Sequence, residues 1–149
     1  MPDAADLNLE LYKLYLETAE KVSERRADAN TWMLSVNSAI VALYGYLSEA
    51  GASVGDFEKS VWLWAIPVAG ILVCLAWATL LSSYSALNRA KFTVLHEIEA
   101  TLPFALFTRE QAVYKEMGRR PFSGIEKRIP FAFVVLYGLL LIAFLAQAV

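Results

Sequence analysis

The chain has 149 residues, 58% of them hydrophobic, with 13 Lys and Arg against 15 Asp and Glu and a net charge of −2. That apolar share exceeds what a water-soluble domain of this length carries and points to a membrane protein. Acidic residues interleave with the cations and leave no basic stripe, which excludes a nucleic-acid binder. Three stretches carry no charge at all, 29–48, 60–88 and 129–149. Each is about 20 residues or more, the length a helix needs to cross ~30 Å of hydrocarbon. Only Lys59 lies between the first two stretches; the other twelve cations precede the first or separate the second from the third. Cytoplasmic segments retain cations. The expected layout is therefore N-terminus inside, a tight outer hairpin, a large inner loop and the C-terminus outside. The acidic opening Met1-Pro2-Asp3 has the wrong sign for a signal peptide, so the first span is expected to stay uncleaved. The expected fold is all-α, a single membrane domain over 1–149 with three transmembrane helices and a cytoplasmic helical part.

Residues 5–28 read as a cytoplasmic amphipathic helix. Leu7, Leu11, Leu14, Tyr15, Thr18 and Val22 recur at three- and four-residue steps as one apolar stripe, with Glu10, Lys13, Glu17, Glu20, Lys21 and Glu24 opposite. The polar face is mixed and slightly acidic, which favours packing on other helices over lying on lipid. The first span, 30–48, is expected to begin near Asn30 and Thr31. Within it Ser35, Ser38, Ala42 and Gly45 form a seam of small side chains suited to close helix packing in lipid. Asn37 lies off the seam, as either an interhelical hydrogen-bonding amide or, with Ser35 and Ser38, a pore-lining one.

Gly51, Gly55 and Asp56 mark the outer turn. Trp62 and Trp64 fit the outer interfacial belt, and Trp77 and Tyr84 the inner one. The second span, 61–84, meets no helix stop between Gly70 and Pro103, so it is expected to continue to 102 in the cytoplasm, with Pro67 a possible kink. Leu87, Val94, Leu95, Ile98 and Leu102 give the extension an apolar face. In the inner loop, 108–128, capping boxes at Thr108–Gln111 and Ser123–Glu126 are expected to open two helices, Gly118 closing the first. A kink or break is expected at Pro130, before a third span at 129–149 whose features are Tyr137 and Gly138.

Chemistry is sparse. No charge sits mid-span, which disfavours proton-coupled pumps and voltage sensors. His96 beside Glu97 and Glu99 is a lone histidine, from which a two-histidine zinc motif cannot be built. Cys74 excludes an intramolecular disulfide and reads as a small apolar residue. No phosphate loop, nucleophile elbow or paired-carboxylate site occurs, so a non-enzymatic protein without a cofactor is expected. Arg119, Arg120, Lys127 and Arg128 form a basic patch at the inner leaflet, for lipid headgroups or for an anionic ligand.

The runs Tyr12-Lys13-Leu14-Tyr15-Leu16-Glu17, Ser23-Glu24-Arg25-Arg26 and Ala29-Asn30, ahead of Asn37, form a pattern with several later segments. These are Ser83-Tyr84, Leu87-Asn88, Lys91-Phe92, Val94, Glu99, Leu102-Pro103, Pro121 to Glu126 and Ile129-Pro130. Together they resemble the RipA family of octameric membrane proteins, with a looser similarity to the two-span SLATT-type effector domains of bacterial nucleotide-signalling defence systems. Ser85 departs from the arginine common there, which weakens any shared anionic site near Tyr84. The resemblance implies a homo-octamer in the bacterial inner membrane, with a structural or stress- and pH-adaptation role. The partners expected are the bilayer and further copies of the chain. The alternative is a channel or pore, gated by a cytoplasmic nucleotide or anion.

Overall fold

The computed structural model describes residues 4–49, 55–118, 126 and 128–147. Its helices are α1 (Ala4–Ser48), α2 (Asp56–Glu99), α3 (Leu106–Glu116) and α4 (Arg128–Gln147). No strand occurs among the described residues. From Ala4 to Tyr44 the chain contains neither Gly nor Pro, and α1 runs unbroken where an amphipathic helix and a separate span were expected. Nothing in that stretch costs the helix its hydrogen-bond ladder, so Asn30 and Thr31 are helix interior rather than a start.

α2 continues through Pro67, as expected, and ends at Glu99 rather than 102. The chain then turns, with the Leu102 N–H donating to the Glu99 carbonyl. α3 ends at Glu116, and Gly118 follows with φ +65°, its N–H donating to the Lys115 carbonyl. Only glycine takes that left-handed conformation without strain, which is why it closes the helix. Pro130 lies within the helical run near the start of α4, where a kink or break was expected. The Ser123 to Glu126 capping box falls largely outside the described residues.

Among the described residues two helices are long and apolar enough to cross a membrane, Phe57–Glu99 and Arg128–Ala146. α1 is not among them: Ser35, Asn37, Ser38 and Gly45 dilute its uncharged half.

The chain divides into two compact units. The first, Met1–Ala27 with Ser82–Ser123, has a core of Tyr12, Ala19 and Leu95 packed by Tyr15, Leu16, Phe92, Ile98, Leu102 and Phe107. The expected stripe holds only in part: Tyr15 and Val22 pack inward together with Tyr12, Leu16 and Ala19, while Leu7, Leu11 and Leu14 are exposed. The second unit, Asp28–Leu81 with Gly124–Val149, buries Ile66, Cys74, Trp77, Leu81, Asn37 and Tyr137.

Candidate functional site

Three features of the sequence reading meet in the second unit. The Asn37 side chain is fully buried. Its Nδ2 donates to the Met33 carbonyl at 2.8 Å, and its Oδ1 accepts from the Cys74 thiol at 3.1 Å and the Tyr137 hydroxyl at 3.1 Å. The same hydroxyl lies 3.2 Å from the Asn37 carbonyl. One amide thus ties α1 to α2 and α4, which is the hydrogen-bonding role considered for it. Cys74 serves as a donor as well as an apolar filler.

Trp77 departs from the expected inner belt. It is buried, and its Nε1–H donates to Asn30 Oδ1 at 3.0 Å. An indole needs a partner for that one N–H wherever it is buried, and Asn30 supplies it. Phe133 lies between the rings of Trp77 and Tyr137, each centroid 6.3 Å away. Trp62 and Trp64 remain exposed.

The predicted small-residue seam lies on the other side of α1. Ser35, Ser38, Ala42 and Gly45 are all exposed. The Ser35 hydroxyl donates to the Thr31 carbonyl at 3.0 Å and Ser38 to Leu34 at 2.8 Å. Both hydroxyls are satisfied within their own helix, so the seam presents a smooth, low surface. The structure therefore separates Asn37 from Ser35 and Ser38, with which the pore reading grouped it.

In the first unit the organising group is Glu99, 1% exposed. Its Oε1 accepts the Phe107 N–H at 2.6 Å; its Oε2 accepts the Thr108 N–H at 3.1 Å and the Thr108 hydroxyl at 2.9 Å. These are amides of the first turn of α3, where N–H groups lack helical partners. The expected capping box at Thr108 is thus replaced: α3 begins at Leu106, Ala105 makes no side-chain cap, and the cap is a carboxylate from the end of α2. Because the Thr108 proton points at Glu99, the 3.3 Å contact with His96 Nδ1 has histidine as donor. His96 Nδ1 also lies 3.6 Å from Glu99 Oε2. Burial pushes the Glu99 carboxyl up, but the Phe107 and Thr108 hydrogen bonds, with His96, outweigh it and hold it below its ordinary value. Burial first, and the adjacent Glu99 charge second, raise the Tyr12 phenol.

Lys91 is held as firmly. Its Nζ donates to Thr18 Oγ1 at 3.0 Å and lies 4.9 Å from the centre of the Tyr15 ring. Of the basic patch, Arg119, Arg120 and Lys127 lie outside the described residues, and Arg128 is exposed at the start of α4. The sequence reading placed Glu99 only beside His96 and in the family pattern, and expected a helix from Thr108 closed by Gly118; it gave Glu99 no capping role. The available signal was a glutamate shortly before a Pro-bounded turn, which is too common to assign a distant cap.

None of the curated proteins compared matches the chain, and none of the solved structures does. A family model matches residues 9–146, nearly the whole chain and every element described above, and its description agrees with the resemblance read from the motifs. The chain belongs to the octameric membrane protein family (8xMP).

Proposed function

We propose that this chain is a non-enzymatic subunit of a homo-octamer in the bacterial inner membrane. α1, α2 and α4 each cross the bilayer once, with the N-terminus and α3 in the cytoplasm and the C-terminus outside. The observation that carries the reading is the seam of Ser35, Ser38, Ala42 and Gly45. It is exposed and small, and its hydroxyls are satisfied internally. Helices in lipid gain nothing from burying apolar surface against one another, so they associate where small residues allow close backbone approach. The seam offers that contact to a neighbouring copy. It also gives the serines in the uncharged half of α1 a protein environment in place of lipid, which supports counting α1 as a span. A structural or stress-adaptation role follows from the family resemblance alone. The alternative is a channel or pore; the bonds that Asn37 makes to Cys74 and Tyr137 within one protomer favour the structural reading over it.

Native mass measurement in detergent is expected to give eight copies for the wild type. Gly45→Leu is expected to reduce that mass while leaving the protomer folded, because a Cβ at Gly45 meets nothing within 4 Å. A monodisperse wild-type monomer would end the reading, and an unaffected Gly45→Leu octamer would remove the seam from it. The cation distribution also predicts that a reporter fused after Val149 is active only outside the cytoplasm. Cytoplasmic activity would overturn the three-span layout.

A further inference from the structure

The first unit leaves two apolar strips uncovered. On α1, Leu7, Leu11 and Leu14 are exposed, Leu14 by 59%. On α3, Leu106, Val113 and Met117 are exposed, Met117 by 69%, and no residue of that helix is buried. The strips share one spacing. Leu7, Glu10, Leu11 and Leu14 follow steps of 3, 1 and 3, as do Leu106, Arg109, Glu110 and Val113, with Glu110 at the place of Leu11. At the second position of each stands a charge, and the two charges are opposite.

We propose that α3 of one copy docks along the α1 strip of the next copy. In this register Leu106 lies beside Leu7 and Val113 beside Leu14, while Arg109 faces Glu10. The inference rests on the homo-octameric reading above and adds the surface that joins the cytoplasmic parts. A ring of more than two identical subunits closes through heterologous contacts, in which two different patches of each copy meet. The first unit has such a pair. Lipid suits α3 less well, because Arg109, Glu110, Lys115 and Glu116 sum to no net charge, whereas interfacial helices are rich in cations. The opposite pair sets register, because a shifted alignment leaves Glu10 and Arg109 without each other.

Two full-length variants, Glu10→Cys and Arg109→Cys, can be given different tags, co-expressed and oxidised in native membranes. The native Cys74 is buried and remains in both. The expected product is a disulfide-linked dimer carrying both tags, with no homodimer from either variant alone. As a second reading, Arg109→Glu is expected to weaken the octamer roughly fivefold, and Glu10→Arg in the same chain to restore it. If the wild type is octameric but neither the mixed dimer nor the charge-swap rescue occurs, the docking surface is wrong and the assembly reading stands. Self-crosslinking of Glu10→Cys would likewise overturn the surface, since the α1 strip would then meet itself. A monomeric wild type would remove both.

Discussion

Gly70→Ala is expected to lower the thermal stability of the detergent-solubilised protein by about 1–3 kcal/mol, with Gly138→Ala stabilising by up to about 1 kcal/mol. A Cβ on Gly70 would stand 2.5 Å from Tyr137 Cζ and 2.6 and 2.7 Å from the two Cε atoms. The ring therefore lies directly on the α2 backbone, and a methyl group there must displace it. The ring cannot move cheaply. It is fully buried, packs against Phe133, and is tethered through its hydroxyl to Asn37. Displacement adds a weakened hydrogen bond, ~0.6–1.7 kcal/mol among helices in lipid, to the overpacking cost. Opposing this is the ~1 kcal/mol helix-propensity gain of Ala over Gly, which does not cover the sum. At Gly138 a Cβ meets nothing within 4 Å, so only the propensity gain operates. Melting curves for both variants check the pair. Equal melting temperatures for Gly70→Ala and the wild type would mean that Tyr137 is not seated on Gly70.

The all-α class and the apolar stretches were legible because charge exclusion and helix length act locally along a sequence. The continuity of α1 could have been read from the absence of Gly and Pro between Ala4 and Tyr44, but the change from a polar to an apolar half suggested a boundary at Asn30. A composition change alone does not break a hydrogen-bond ladder. Periodicity identified apolar residues on α1 without saying which face turns inward. Leu7, Leu11 and Leu14 form a strip as regular as the one through Tyr12, Leu16 and Ala19, and only the packing partners Leu95 and Phe107 decide between them. Asn37 stood out because an amide at hydrocarbon depth requires a partner. The identity of its partners did not stand out: Cys74 is 37 residues away and Tyr137 is 100. Trp77 was misplaced for a related reason. Position along a span fits the belt pattern equally well for a tryptophan whose N–H is satisfied inside.

The Glu99 cap gives the second large effect, and its pH dependence has a definite sign. Unfolded, the carboxyl titrates near its ordinary value of 4.5; folded, it titrates lower. A depressed carboxyl contributes stability that is fully present above the unfolded value and is lost as pH falls through the folded one. The anchoring of α3 is therefore expected to hold from neutral pH down to about 5 and to weaken below about 4.5. The groups facing the carboxylate are the Phe107 and Thr108 amides, the Thr108 hydroxyl, His96 and the Tyr12 phenol. Each of these hydrogen bonds favours the ionised form. Glu99→Gln keeps the shape but removes the charge, and it turns an amide N–H₂ toward one of two backbone donors. That should cost about 1–3 kcal/mol, read as faster hydrogen exchange of the Phe107 and Thr108 amides at pH 7. Referred to intrinsic exchange rates, wild-type protection should fall as pH drops below about 4.5, while the glutamine variant shows a flat profile. Equal protection in the two proteins at pH 7 would mean that α3 is held by the packing of Phe107 against Tyr12 and Phe92 rather than by the carboxylate.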